Sequence, residues 1–194
     1  MYLLMPKPNI YVVKFGGSLF RGPNYHSWLE RLASWSQNKS IIVVPGGGKL
    51  VDDIRQLQQA IGCSDKTAHE LALDAMRRQG QQLAGALRLK ISSVVSLTSH
   101  SNAQSPEHSI WVPSSQEFHY SGMPQNWSVS SDSIALWLAT EIQCSAMLLL
   151  KSRAPAGSDP SMWAGEGYVD EYFPTLLKNL TCPLTALCDH NELR

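Results

Sequence analysis

Two β-branched apolar runs, each cut off by a cluster of glycines, constrain this chain more than any other feature. The first is Val12-Val13-Lys14-Phe15-Gly16-Gly17-Ser18 and the second is Ile41-Ile42-Val43-Val44-Pro45-Gly46-Gly47-Gly48. A stretch that reads as helix follows each. Strands buried on both faces are apolar throughout rather than alternating, as parallel strands in an α/β sheet are. Glycines at the end of such a strand let backbone N–H groups approach an anion, and the next helix points its positive end at it. Two such junctions, one with a lysine on its strand, make nucleotide phosphate the leading ligand.

The rest of the chain alternates in the same way. Strands are expected at Ile10 to Phe15, Ile41 to Val44, Val94 to Leu97, Ile110 to Val112, Ala146 to Leu150 and Leu184 to Leu187. Helices are expected at Tyr25 to Ser36, Lys49 to Ala60, from a cap at Ser64 or Asp65 to Leu87, at Ser131 to Ile142 and at Asp170 to Leu180. In the second of these Val51, Ile54, Leu57 and Ile61 recur at helical spacing; in the last, Pro174 is tolerated only in the first turn. Residues 99–108 and 152–167 read as loops. The fold class is therefore α/β, with a mainly parallel sheet covered on both faces.

Composition removes several classes of function. The 194 residues carry 16 basic and 16 acidic side chains, so no net positive field exists to hold a nucleic acid or a membrane surface. No window approaches the eighteen apolar residues of a spanning helix, and Met1 to Pro6 lacks the pattern of a signal peptide. Cys63, Cys144, Cys182 and Cys188 have no C-x-x-C spacing, and the six histidines show no paired ligand spacing. A cytoplasmic protein without a metal cluster is expected. The Asn38, Asn126 and Asn179 sequons are read as chance.

Phosphoryl transfer needs positioning and positive charge more than covalent chemistry from the protein. Lys14, at a strand end just before Gly16 and Gly17, is placed to reach phosphate; a lysine there can also hold its head in water. Gly46-Gly47-Gly48-Lys49 is not a Walker A loop, because Val43 and Leu50 stand where that motif needs glycine and Ser or Thr. It is either a phosphate-contacting turn or a flexible one. The third element is Trp127-Ser128-Val129-Ser130-Ser131-Asp132-Ser133-Ile134-Ala135. Its aspartate can cap a helix, hold two lysines in place, or orient a metal. His119 and Tyr120 fall in the preceding loop. Trp28, Trp35 and Trp137 are expected in the core, while Trp127 and Trp163 lie in loops where a flat ring could stack.

These three motifs together resemble the amino acid kinase superfamily, which includes acetylglutamate, aspartate, uridylate and isopentenyl phosphate kinases. The resemblance is nearer to its small branch that phosphorylates an aminomethylfuran phosphate in methanofuran biosynthesis. His69 to Met76, the W-S-V-S-S-D-S form of the third motif, and Val169-Asp170-Glu171-Tyr172-Phe173-Pro174 carry that nearer likeness. It implies a three-layer αβα sandwich over residues 1–194, with an acceptor half (1–130) and a shortened nucleotide half (131–194). It implies ATP and Mg2+, a small-molecule acceptor, no nucleic acid or membrane partner, and a homo-oligomer. Lys14 would stabilise the moving phosphoryl group and Asp132 would organise the catalytic lysines. Gly16, Gly17 and Ser18 would hold nucleotide phosphates; Gly46, Gly47, Gly48 and Ser131 would contact the acceptor. Arg55, Arg77 and Arg78 could neutralise a phosphorylated acceptor or form solvated faces.

One departure from the family pattern stands out. Family members usually carry an acidic loop after the strand matching Met147 to Leu150, and several carry a second lysine in a later glycine-rich segment. This chain has Lys151-Ser152-Arg153-Ala154-Pro155-Ala156-Gly157 there instead. Lys151 either replaces the missing charge at the nucleotide or merely ends a strand. The alternative to a kinase is a catalytically reduced ligand-binding or regulatory paralogue on the same fold.

Overall fold

The computed structural model describes residues 10–92 and 108–188. The strands are β1 (Ile10–Phe15), β2 (Ser40–Pro45), β3 (Lys90–Ser92), β4 (Ser109–Trp111), β5 (Ala146–Lys151) and β6 (Leu184–Cys188). The helices are α1 (Tyr25–Trp35), α2 (Lys49–Ile61), α3 (Asp65–Leu87), α4 (Ser115–Tyr120), α5 (Ser131–Glu141) and α6 (Phe173–Leu177), with a 3-10 turn at Gly17–Arg21. The strands form one sheet in the order β3-β4-β2-β1-β5-β6. Every neighbouring pair is parallel.

Parallel pairing brings the C-terminal ends of β1, β2 and β5 to a single edge. The register Lys14 opposite Val44 and Leu149, and Phe15 opposite Pro45 and Leu150, ends these central strands level with one another. Both sheet faces are covered. Val12, Ile42, Val44, Met147 and Leu149 pack with Leu73, Met76, Ile134 and Leu138 on one side. Val13, Phe15, Ile41, Val43 and Leu150 pack with Trp28, Leu32 and Leu83 on the other. This explains the unbroken apolar runs: alternate residues of β1 and β2 serve opposite cores. Among the described residues no helix is long and apolar enough to cross a membrane.

Several boundaries differ from expectation for identifiable reasons. The expected strand at Val94 to Leu97 and most of the 99–108 loop lie outside the described residues. His119 and Tyr120 belong to a short helix, not a loop. Ser114 accepts from the Glu117 N–H while the Glu117 carboxylate accepts from the Ser114 N–H, a capping box that the Ser114-Ser115-Gln116-Glu117 pattern encodes. The expected helix from Asp170 to Leu180 is only Phe173–Leu177. Asp170 holds the N–H groups of Tyr172 and Phe173 with its own side chain, which competes with a helical turn. Trp28 is fully buried, whereas Trp35 and Trp137 are half-buried against the cores.

Candidate functional site

The two glycine turns touch each other backbone to backbone at the sheet edge. The Gly46 N–H donates to the Phe15 carbonyl at 2.8 Å, and the Gly16 N–H donates to the Leu150 carbonyl at 2.8 Å. A Cβ on Gly17 would lie 2.4 Å from the Gly48 nitrogen, and one on Gly46 would lie 2.6 Å from the Gly17 nitrogen. Neither contact can exist in a folded protein, so any side chain here would push the turns apart. Gly48 has φ +57° and ψ −148°, a conformation open to glycine alone, and α2 starts at the next residue. The glycines thus bring the ends of β1 and β2 together.

Beneath these turns lies a buried ion triad. Lys14 Nζ is 2.8 Å from one carboxylate oxygen of Asp132, and Lys151 Nζ donates to the other at 2.7 Å. The side chains of Lys14 and Asp132 are 6% and 7% exposed and that of Lys151 is 15% exposed, so water screens none of these charges well. Burial alone would raise the Asp132 carboxyl; the two ammonium groups beside it overcome this and hold it below the usual carboxylate range. Burial, and then the Lys14 charge, push the Lys151 ammonium below its ordinary value, against the pull of Asp132. Lys151 also donates to the Tyr168 carbonyl, and its ammonium lies 4.5 Å from the centre of the Tyr168 ring. One carboxylate therefore gathers two cations from adjacent strands.

Of the three roles open to Asp132, the structure gives the helix cap to another residue. Ser130 is the N-cap of α5, and its hydroxyl accepts from the Asp132 N–H at 3.2 Å. The start of α5 is anchored from a distant segment by Asp170, which sequence reasoning did not place in the site. Its carboxylate accepts from the N–H and hydroxyl of Ser130, the N–H and hydroxyl of Ser133, and the N–H groups of Tyr172 and Phe173. Burial, reinforced by the nearby Asp132 charge, pushes the Asp170 carboxyl up, while the bonds from Ser133 and Ser130 oppose this. Asp170→Ala should lower stability by about 3 kcal/mol, since it strands several donors at once. Chemical denaturation would measure this; a loss under 1 kcal/mol would mean water replaces the carboxylate without penalty.

A cavity of about 300 Å³ opens over the glycine turns, between α2, α3 and the 127–134 segment. Gly17, Ser18, Gly46, Gly47, Gly48 and Ser131 line it, which unites most of the positions expected to bind ligand. Arg55, His69 and Trp127 line it as well. The Arg55 guanidinium lies 4.6 Å from the centre of the Trp127 ring, and the Trp127 indole N–H donates to the Gln58 side chain. Lys49 is half-exposed at the rim and paired with Asp53. Arg77 is paired with Asp74 on the surface, and neither Arg77 nor Arg78 reaches the cavity. Tyr120 is 76% exposed and away from it.

Lys14, Asp132, Lys151 and Gly16 do not line that cavity. They sit at the neighbouring part of the same edge, where the Ser18 hydroxyl donates to the Ser152 hydroxyl at 3.0 Å. The edge thus has two sides around Gly17 and Ser18: a cavity with aromatic and apolar walls, and the strand-end loop that begins at Lys151. Trp163 is buried against Tyr168, 5.3 Å between ring centres at 73°, and so pins its loop. Among the described residues no three His, Cys, Asp or Glu side chains are grouped to hold a metal ion.

Residues 9–106 match the profile of the amino acid kinase family. The chain is 24% identical over 182 residues to a [5-(aminomethyl)furan-3-yl]methyl phosphate kinase from Methanocaldococcus jannaschii, covering 87% of this chain and 83% of that one. Among solved structures it is similar to uridylate kinase from Archaeoglobus fulgidus, with a TM-score of 0.68 and 15% identity over 92% of this chain and 90% of that chain. It is also similar to aspartate kinase from Synechocystis, with a TM-score of 0.68 and 15% identity, over 94% of this chain but 38% of that longer one.

Proposed function

Because this chain belongs to the amino acid kinase family, a family of phosphotransferases, we propose that it transfers the γ-phosphoryl group of Mg·ATP to a small phosphate or carboxylate acceptor. The named candidate is [5-(aminomethyl)furan-3-yl]methyl phosphate, the acceptor in the name of its relative. That would place the protein in biosynthesis of a methanofuran-type cofactor. The observation that carries the reading is Asp132 holding two lysines at the strand ends, directly beside two glycine turns in backbone contact.

The geometry suits the chemistry. An oxygen of the acceptor phosphate attacks the γ-phosphorus in line, the bond from that phosphorus to the β,γ-bridging oxygen breaks, and ADP leaves with the electron pair. The product is a diphosphate. Charge on the three equatorial oxygens must be met by fixed positive groups, and Lys14 and Lys151 supply two from one carboxylate anchor. Gly16, Gly17 and Ser18 would hold the donor's phosphates, with Lys151 on the same side. Gly46, Gly47, Gly48 and Ser131 would face the acceptor in the cavity. Mg2+ usually keeps several waters and binds largely through substrate phosphates, so the donor's phosphates would supply most of its ligands.

The basic residue that ends β5 also bears on the alternative of a catalytically reduced paralogue. Lys151 does more than end a strand: it is ion-paired to the same carboxylate as Lys14. A second cation therefore stands beside Lys14 on the same carboxylate. That observation favours turnover over a binding-only role. The test is transfer of the γ-phosphoryl group from Mg·ATP to the furan monophosphate; its decisive form closes the Discussion.

A further inference from the structure

Cys144 and Cys182 stand 38 positions apart in the chain, yet their sulfurs lie 3.4 Å from each other. They meet where β5 and β6 begin, at the opposite edge of the sheet from the glycine turns. The backbone holds both in place. The Cys144 N–H donates to the Ala139 carbonyl at 3.1 Å and the Ser145 N–H donates to the Ile10 carbonyl at 2.8 Å. Next to Cys182, the Pro183 carbonyl accepts from the Met147 N–H at 2.9 Å. Cys144 is 2% exposed within the core, while Cys182 is half-buried and packs against that core from outside. A single core thiol behaves as a small hydrophobe. Two in contact at anchored strand ends, one of them reachable from solvent, have a reaction open to them.

A disulfide holds its sulfurs about 2.05 Å apart, so this pair must close by roughly 1.3 Å. Rotation of the half-buried Cys182 side chain can supply that while Cys144 stays packed. We propose that Cys144 and Cys182 are a modification site for hydrogen peroxide, joining as a reversible disulfide that ties the edge strand β6 to β5. Cys182 reacts first because it is the accessible one. It gives up its proton, its sulfur attacks a peroxide oxygen, the O–O bond breaks, and water leaves from a Cys182 sulfenic acid. The Cys144 sulfur then attacks the sulfenic sulfur, the S–O bond breaks, and the departing hydroxide takes the Cys144 proton as water. Two thiols lose two electrons and two protons in all, and one peroxide is reduced to two waters. Burial, and then the neighbouring Cys182, push the Cys144 thiol up to about 12, so Cys144 serves as the resolving thiol and not as the first to react. The bond has a structural consequence. Among the described strands β6 pairs only with β5, and such an edge opens readily. The closed loop carries Lys151, Tyr168 and Asp170, so the segment that supplies the second lysine of the ion triad becomes harder to unfold.

Treating the reduced, whole protein with hydrogen peroxide tests this. The intact mass is expected to fall by about 2 Da as two thiol hydrogens are lost. Thiols titrated in denaturant should fall by two from the four in the sequence, with peptides bearing Cys144 and Cys182 recovered as one crosslinked species. Fragmentation assigns the link to Cys182 and not to Cys188. The Tm should rise by about 5 °C or more, and dithiothreitol should reverse both changes. Cys182→Ala treated in the same way should show neither the crosslink nor the rise. Oxidation of Cys63 or Cys188 with Cys144 and Cys182 left unlinked overturns the proposal, as does Cys182 carried on to sulfinic acid without a crosslink. A crosslinked protein whose Tm is unchanged or lower overturns it too. These readouts need neither a folded variant nor a phosphoryl acceptor, so the wild-type protein alone decides.

Discussion

Asp132→Asn is expected to lower stability by about 3–5 kcal/mol, far more than loss of a helix cap would cost. The reason is that Asp132 is the counter-charge of two buried cations and not the cap of α5. An asparagine fits the same space but leaves two ammonium groups facing each other in a poorly solvated site. Lys151, whose ammonium is already pushed below its ordinary value, would shed its proton more readily still, which bounds the loss. Turnover should collapse as well, because the lysines lose the carboxylate that aims them. The pH dependence has a definite sign. A carboxyl held low in the folded state contributes stability above its unfolded pKa and loses it as pH falls through the folded one. The stability gap between wild type and variant should therefore narrow as pH falls below about 4. Urea unfolding at a series of pH values measures it. A gap of about 1 kcal/mol or less at neutral pH would contradict its role as the counter-charge of two buried cations.

Lys14→Ala should do the opposite: a large loss of turnover with a modest loss of stability. Removing it leaves Asp132 paired one to one with Lys151 and relieves the repulsion between the two ammonium groups. The remaining penalty is the packing of an alkyl stem, about 1–2 kcal/mol. Catalysis loses a fixed positive charge that costs nothing to organise during the reaction, and one such contact is typically worth about 10²–10³ in kcat. Single-turnover rates with saturating Mg·ATP measure this apart from binding. Turnover within threefold of wild type would remove Lys14 from the transfer step and leave it a structural ion.

The fold was legible because its signals are local. The apolar runs of β1 and β2 are flanked by glycines and followed by residues at helical spacing, and each of those features is a statement about neighbours in sequence. The glycine positions of the site were legible for the same reason. What joins them is not local. Lys14, Asp132 and Lys151 are 118 and 19 residues apart along the chain from Asp132, and only the β1–β5 pairing beside α5 makes them one cluster. Asp170 stood in a motif that carried family likeness but no role, because its six donors come from two separate segments. Capping stayed open beside lysine-holding for Asp132 for a simple reason: Ser130, Ser131 and Asp132 can all cap a helix, and sequence does not say which one starts it.

The most direct test of the central claim is 31P NMR of the folded wild-type protein with Mg·ATP and [5-(aminomethyl)furan-3-yl]methyl phosphate. The account predicts that the γ-phosphate signal of ATP disappears as ADP and a new diphosphate ester appear together in equal amounts, and that Lys14→Ala slows this by about 10² or more. Binding of both ligands by a folded protein with no diphosphate formed would contradict it.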